Sequence, residues 1–132
     1  MCGIVGIWKT SGNFKKDSLV SELCAAIQSI NHRGPDDQGT WTNDIGVGLG
    51  HARLSILDLS ANGHQPMKSS DDRFIIVFNG EIYNFAEIKQ RLLQKNYAFK
   101  GSGDTEVILA ALQEWGKDAV QLFIGMFSLA YW

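Results

Sequence analysis

In the stretch IGVGLGHARL, which begins at Ile45, Gly46, Gly48 and Gly50 alternate with Val47 and Leu49. Successive residues of a strand point to opposite faces, so an extended segment with this pattern has one face without side chains. A strand of that kind suits a place where another backbone lies close. The sequence therefore predicts a strand over 45–52, closely covered on its glycine face, and the rest of the chain has to supply the cover.

The surrounding elements fit that requirement. A short β-forming run predicts a strand at 2–8, and Ser11-Gly12-Asn13 punctuates a turn. Helical periodicity over 17–30 puts Leu19, Leu23, Ile27 and Ile30 on one face, with Val20 and Cys24 beside them. NHRGPDDQG, 31–39, has no period and reads as a loop. A further strand is expected at 54–57, then a long polar loop over 58–72 of the kind that often carries function. RFIIVFN, 73–79, is a strongly apolar strand. Asn84 with Glu87 forms a helix-start signal for 84–96, with Ile88, Leu92 and Leu93 inward. Gly101-Ser102-Gly103-Asp104 is a turn, followed by helices at 105–115 and 117–122 and a last apolar strand at 125–132. The order β–α–ββ–β–α–α–β argues for an α+β chain whose helices cover sheet faces. Its 132 residues suit one domain. A chain that stops inside the apolar run MFSLAYW is expected to be a fragment of a longer protein.

Composition narrows the function classes. The formal charge is -2, the pI is about 5.8 and no Lys/Arg run exceeds Lys15-Lys16, so nucleic acid is not an expected partner. No apolar stretch approaches a membrane span, and the N-terminus has no basic region ahead of a long apolar one. The expectation is a cytoplasmic protein. Two cysteines make neither a disulfide framework nor a metal set, and His32, His51 and His64 are too scattered for metal ligation.

Four places could carry chemistry. If Met1 is removed, Cys2 becomes the N-terminus and bears a thiol, reference pKa about 8.5, beside an α-amine of about 7.7–8.0 that can serve as its base. The alternative is a small apolar residue in a strand. Asn79-Gly80 can converge an amide N–H and a backbone N–H as an oxyanion hole, or make a turn. Arg53 can present a planar fork to a carboxylate, or lie on the surface paired with Asp58. Asp104 is either a helix N-cap or an anion for an ammonium group. His32-Arg33 could line a pocket or hold its loop. Tyr83 and Phe85 read as core, and Cys24 as inert packing.

Taken together, MCGIVGI, NHRGPDDQG, LGHARLSILDL, QPM, FNGEIYN, GSGDTEVILA and GMFSLAYW, in this order, resemble the class II glutamine amidotransferase domain. Within that family the wording is most like glutamine-hydrolysing asparagine synthetase, and the likeness runs over 1–132. The resemblance implies an N-terminal-nucleophile hydrolase fold, a four-layer αββα sandwich, here truncated at its C-terminal end. It implies hydrolysis of L-glutamine to glutamate and ammonia. Cys2 would attack the amide carbon and form a thioester, with its own α-amine as base. Asn79 and Gly80 would form the oxyanion hole, and Arg53 would hold the α-carboxylate. The backbone of Leu54, Ser55, Ile56 and Leu57 would line the pocket. Glu81 and Asp104 would contact the rest of the glutamine, Asp104 through its α-ammonium. No cofactor is implied in this chain, because ATP and Mg belong to a C-terminal synthetase domain that is absent here. The resemblance also allows a homodimer of the full-length protein. Three readings are open: the glutaminase part of an asparagine-synthetase-like enzyme, a glutaminase serving another acceptor, and a catalytically silent fragment.

Overall fold

The computed structural model describes residues 2–10, 12–56 and 59–132. Among these residues six strands and three α-helices follow in the order β1 (Gly3–Trp8), α1 (Lys16–Ser29), β2 (Asp37–Thr42), β3 (Val47–Arg53), β4 (Met67–Lys68), β5 (Ile75–Ile82), α2 (Phe85–Leu93), α3 (Asp104–Trp115) and β6 (Gly125–Tyr131). Single turns of 3-10 helix lie at Asn31–Arg33 and Ala61–Gly63, and a longer one at Gly116–Leu122.

β3 is the centre of the first sheet, with β1 and β2 antiparallel on either side, and every residue along it is buried. Its glycine face receives α1. A Cβ on Gly48 would lie 2.6 Å from Leu23 Cδ1, and one on Gly50 would lie 2.7 Å from Ile27 Cδ1. The close neighbours of Gly48 and Gly50 are thus helix side chains, where the sequence predicts another backbone. Gly46 does meet backbone: it has φ 91°, and its Cβ would lie 2.7 Å from the Lys9 carbonyl oxygen. Leu19, Leu23 and Ile27 are buried between α1 and β3, each contributing about 1.5–3 kcal/mol by leaving water.

The second sheet runs β4-β5-β6, antiparallel throughout. β5 explains why RFIIVFN shows no polar alternation: both of its faces are covered. Ile75 and Val77 meet Leu49 of β3 between the two sheets. Ile76, Phe78 and Ile82 face the other way, into a core with Ile88 and Leu92 of α2 and Ile108 and Leu112 of α3. The layers are therefore helix, sheet, sheet and helices, the αββα sandwich expected from the resemblance. Among the described residues, no helix is long and apolar enough to cross a membrane.

Several expectations need correction. The loop predicted over 31–39 ends in β2, whose residues DQGTWT carry little apolar signal because this edge strand is half-exposed. The strand expected at 54–57 does not form over 54–56, and Leu57 lies outside the described residues. The 58–72 loop contains the two-residue β4, and Asp58 is likewise not described. The predicted 73–79 strand begins at Ile75 and continues through Asn79-Gly80 to Ile82, because β6 pairs with it there. Cys24 is exposed, since it lies off the narrow stripe of Leu19, Leu23 and Ile27. Val20 is exposed for the same reason, and Leu93 and Tyr83 are exposed too. Asn84 makes no side-chain cap. Its Nδ2 donates to the Leu122 carbonyl and its Oδ1 accepts from the Ile124 N–H, tying the start of α2 to the entry of β6. Asp104 is the first residue of α3, and the N-cap is Gly103.

The close seat of α1 gives a prediction. Gly50→Val gains strand propensity but drives into Ile27, and overpacking should destabilise the chain by about 1–3 kcal/mol. Gly12→Ala, where a Cβ meets nothing within 4 Å, should leave the denaturation midpoint unchanged. Urea unfolding of the two variants checks this.

Candidate active site

A cavity of about 200 Å³ opens where the C-terminal end of β3, the C-terminal half of β5 and the first turn of α3 meet. Cys2, Arg53, Asn79, Gly80, Glu81 and Asp104 all line it, with Leu54, Ser55 and Ile56 along one wall. The residues that the resemblance implies for the site are therefore brought to one place, apart from Leu57, which is outside the described residues.

Cys2 stands immediately before β1, half-buried. Its sulfur accepts from the Leu54 N–H at 3.3 Å and lies 3.6 Å from the Leu54 carbonyl. Its own carbonyl accepts from Arg33 Nε at 3.0 Å. The NHRGPDDQG segment thus holds the backbone of Cys2. It also holds the wall, because Asp36 accepts from the Ser55 N–H at 2.7 Å. Between the two readings of His32-Arg33, the arginine supports the loop and the site; His32 is exposed.

Arg53 ends β3 and is 8% exposed, so it is not a surface arginine. Its Nη1 donates to the Ser60 carbonyl at 3.0 Å. Gly63 makes room for it: a Cβ there would lie 2.7 Å from Arg53 Cζ. This role of Gly63 was not read from the sequence, though Ser60-Ala61-Asn62-Gly63 carries a turn signature, and the Ser60 hydroxyl accepts from the Asn62 N–H.

Asn79 and Gly80 belong to β5, opposite Ser128 and Phe127 of β6. Gly80 has φ 152°, and a Cβ would collide with the Met126 carbonyl, so only glycine brings this backbone past β6 into the cavity. Asn79 Oδ1 is buried without a protein hydrogen-bond partner among the described residues. An amide oxygen left uncommitted in a cavity wall is available to a donor on a ligand.

Asp104 is 5% exposed and accepts from the Ile82 N–H at 3.0 Å. Burial raises its pKa above the ordinary carboxylate value, and the charge of Glu81 pushes the same way, while hydrogen bonds from Ile82, its own N–H and Thr105 oppose. Two further contributors were missed. Gln65 Oε1 accepts from the Phe78 N–H at 2.6 Å, while Tyr83, read as core, lies on the cavity rim. Among the described residues no group of three or more His, Cys, Asp or Glu could hold a metal ion.

The site thus gathers a thiol, two hydrogen-bond donors at a strand end, a buried guanidinium and a buried carboxylate, a set that can bind a zwitterionic head group and attack a carbonyl carbon. The two-sheet sandwich around it is the N-terminal-nucleophile hydrolase fold. Glutamine phosphoribosylpyrophosphate amidotransferase from B. subtilis, solved with ADP and GMP, superposes with a TM-score of 0.75 at 18% identity over 98% of this chain and 34% of that one.

The sequence matches the glutamine amidotransferase domain family over residues 1–132, and the chain belongs to that family. It is 38% identical to asparagine synthetase [glutamine-hydrolyzing] 1 of Bacillus subtilis, a match covering 100% of this chain and 21% of that protein. It is 40% identical to putative asparagine synthetase [glutamine-hydrolyzing] 2 of Methanocaldococcus jannaschii, covering 97% and 27%. The chain spans about a fifth to a quarter of the length of these relatives.

The raised pKa of Asp104 sets a pH dependence. The folded chain holds this proton more tightly than the unfolded chain, so the contribution to stability is full below the ordinary value of 3.8 and is lost as pH rises through the raised folded value. Asp104→Asn keeps an oxygen to accept from Ile82 and removes the buried charge. Thermal unfolding across pH should show a flatter profile above pH ~4 and, at neutral pH, a melting temperature at or above that of the parent.

Proposed function

We propose that this chain hydrolyses the side-chain amide of L-glutamine through a thioester on Cys2. The observation that carries the reading is the convergence of Cys2, Asn79-Gly80, Arg53 and Asp104 on one small cavity. Once Met1 is removed, the Cys2 α-amine takes the thiol proton and the sulfur attacks the amide carbon. The carbonyl electron pair moves onto oxygen, where the Asn79 side-chain amide and the Gly80 N–H stabilise it. The amine returns the proton to the leaving nitrogen, ammonia departs and the thioester remains. Water then adds, the oxyanion forms again at the same donors, and glutamate leaves with Cys2 restored. Arg53 pairs with the substrate α-carboxylate and Asp104 with its α-ammonium, with Glu81 and the 54–57 backbone completing the pocket. In a longer protein of the kind its relatives represent, the ammonia would go to ATP-dependent formation of asparagine from aspartate.

A glutamine analogue with an electrophilic side chain tests the nucleophile. Intact mass should show loss of Met1, and peptide mapping should find label on Cys2, blocked by excess glutamine. Cys24 is exposed and will react with general thiol reagents. Label that falls mainly on Cys24, or that glutamine does not block, would overturn the assignment.

Asn79→Ala separates catalysis from binding. Loss of one oxyanion donor costs roughly 2.7–4 kcal/mol in the transition state, so kcat should fall about a hundredfold or more with little change in KM. A rise in KM alone would make Asn79 a substrate-positioning residue instead.

A further inference from the structure

His51 is fully buried, and the mechanism above leaves it no proton to move. It lies on β3, two residues before Arg53, and reaches across the gap between the sheets to β5. Its Nε2 is 3.1 Å from the Phe78 carbonyl oxygen. A carbonyl only accepts, so Nε2 carries the hydrogen and Nδ1 is the bare nitrogen. Burial lowers the pKa to about 4, which keeps the ring neutral and in this tautomer at physiological pH.

The position of that bond matters. Among the described residues β4 pairs with β5 only at Ile75 and Ile76, and beyond Ile76 that edge of β5 has no described strand neighbour. Both backbone groups of a strand residue point to the same edge. At Phe78 the missing strand is replaced by side chains: Gln65 Oε1 accepts from its N–H at 2.6 Å, and His51 donates to its carbonyl. The Phe78 carbonyl belongs to the peptide group that leads into Asn79. Gln65 also donates from Nε2 to Thr105 Oγ1 at 3.4 Å, next to Asp104. The two backbone groups of one β5 residue, Phe78, are thereby tied to β3, which carries Arg53, and through Gln65 to α3, which carries Asp104.

We propose that His51, acting with Gln65 on the two backbone groups of Phe78, is a positioning residue that holds the Asn79-Gly80 donors in register with the residues binding the substrate head group. This rests on the glutaminase reading above. The ring fixes a backbone plane and exchanges no proton with substrate. A fixed plane matters most when the oxyanion forms, because donors misplaced by about an ångström lose much of their effect.

The test uses the Met1-processed chain and three variants. His51→Gln places an amide N–H near the position of Nε2 and keeps the bond. His51→Met fills the space without a donor, and His51→Asn keeps polarity but falls short of Phe78. In either donor-less variant kcat for glutamine should drop about tenfold or more with KM within about twofold, and His51→Gln should recover most of the rate. Hydrogen exchange is read on the same proteins without substrate. The Phe78 and Gly80 amides should exchange faster in His51→Met and His51→Asn than in the parent or His51→Gln. A folded donor-less variant with unchanged kcat, a change in KM alone, or no rescue by His51→Gln overturns the proposal. If the parent chain hydrolyses no glutamine, the functional reading fails. The exchange measurement then decides alone, and unchanged Phe78 and Gly80 amides overturn the positioning role.

Discussion

The architecture depends on how closely α1 can approach β3. Gly48 and Gly50 remove the side chains that would hold the helix away, and Leu23 and Ile27 fill the space. With that face sealed, β3 can bury its other face against β5, where Leu49 meets Ile75 and Val77. β3 is then covered on both faces and paired on both edges, which leaves it little freedom to shift. Arg53 is its last residue, so the cation of the site is fixed by the same packing that fixes the sandwich. A side chain on the glycine face would shift the helix and, through β3, the site.

The cavity is assembled from strand and helix ends. Cys2 precedes β1, Arg53 closes β3 and Asp104 opens α3, while Asn79-Gly80 lies where β5 outruns β4. At each of these places regular pairing stops and backbone groups need other partners. The chain supplies them with side chains from distant segments. Arg33 donates to the Cys2 carbonyl, Asp36 accepts from Ser55, Gln65 accepts from Phe78 and Asp104 accepts from Ile82. These long-range bonds hold the irregular termini together as a pocket.

What the sequence made legible follows from this division. Elements buried on a clear face were readable: Leu19, Leu23 and Ile27 mark α1, and the unbroken RFIIVFN run marks β5. β2 was not, because an edge strand with exposed Thr40 and half-buried Trp41 has no apolar period to show. Cys24 and Val20 look apolar by type, yet they lie just outside the buried stripe, and composition cannot resolve so small an angular offset. Asn84 has the residue type of an N-cap, but its partners, Leu122 and Ile124, lie far along the chain. Cys2, Asn79-Gly80, Arg53 and Asp104, which line one cavity, could be singled out because each sits in a short string with its own chemistry. Their supports were missed for the opposite reason. Nothing local marks Gln65 as the partner of Phe78, Gly63 as the space for Arg53 or His51 as a bridge between sheets.

The charges in the cavity show why such supports are needed. Arg53 and Asp104 are both largely withdrawn from water, and for Asp104 burial outweighs the hydrogen bonds it accepts. A carboxylate in that setting is costly to the empty protein, because water no longer solvates it and no cation is paired with it at hydrogen-bond distance among the described residues. For the proposed substrate, the α-ammonium and α-carboxylate of one amino acid would answer both charges at once. An amide lacking the α-ammonium would leave the buried Asp104 carboxylate without a counter-charge at hydrogen-bond distance among the described residues, a penalty larger than that of a missing methylene. Selectivity on this reading comes from charges already buried before the ligand arrives. It requires that β3 and α3 not relax around an empty pocket, and the ties through Phe78, Gln65 and Thr105 join those two elements to the strand that bears Asn79-Gly80.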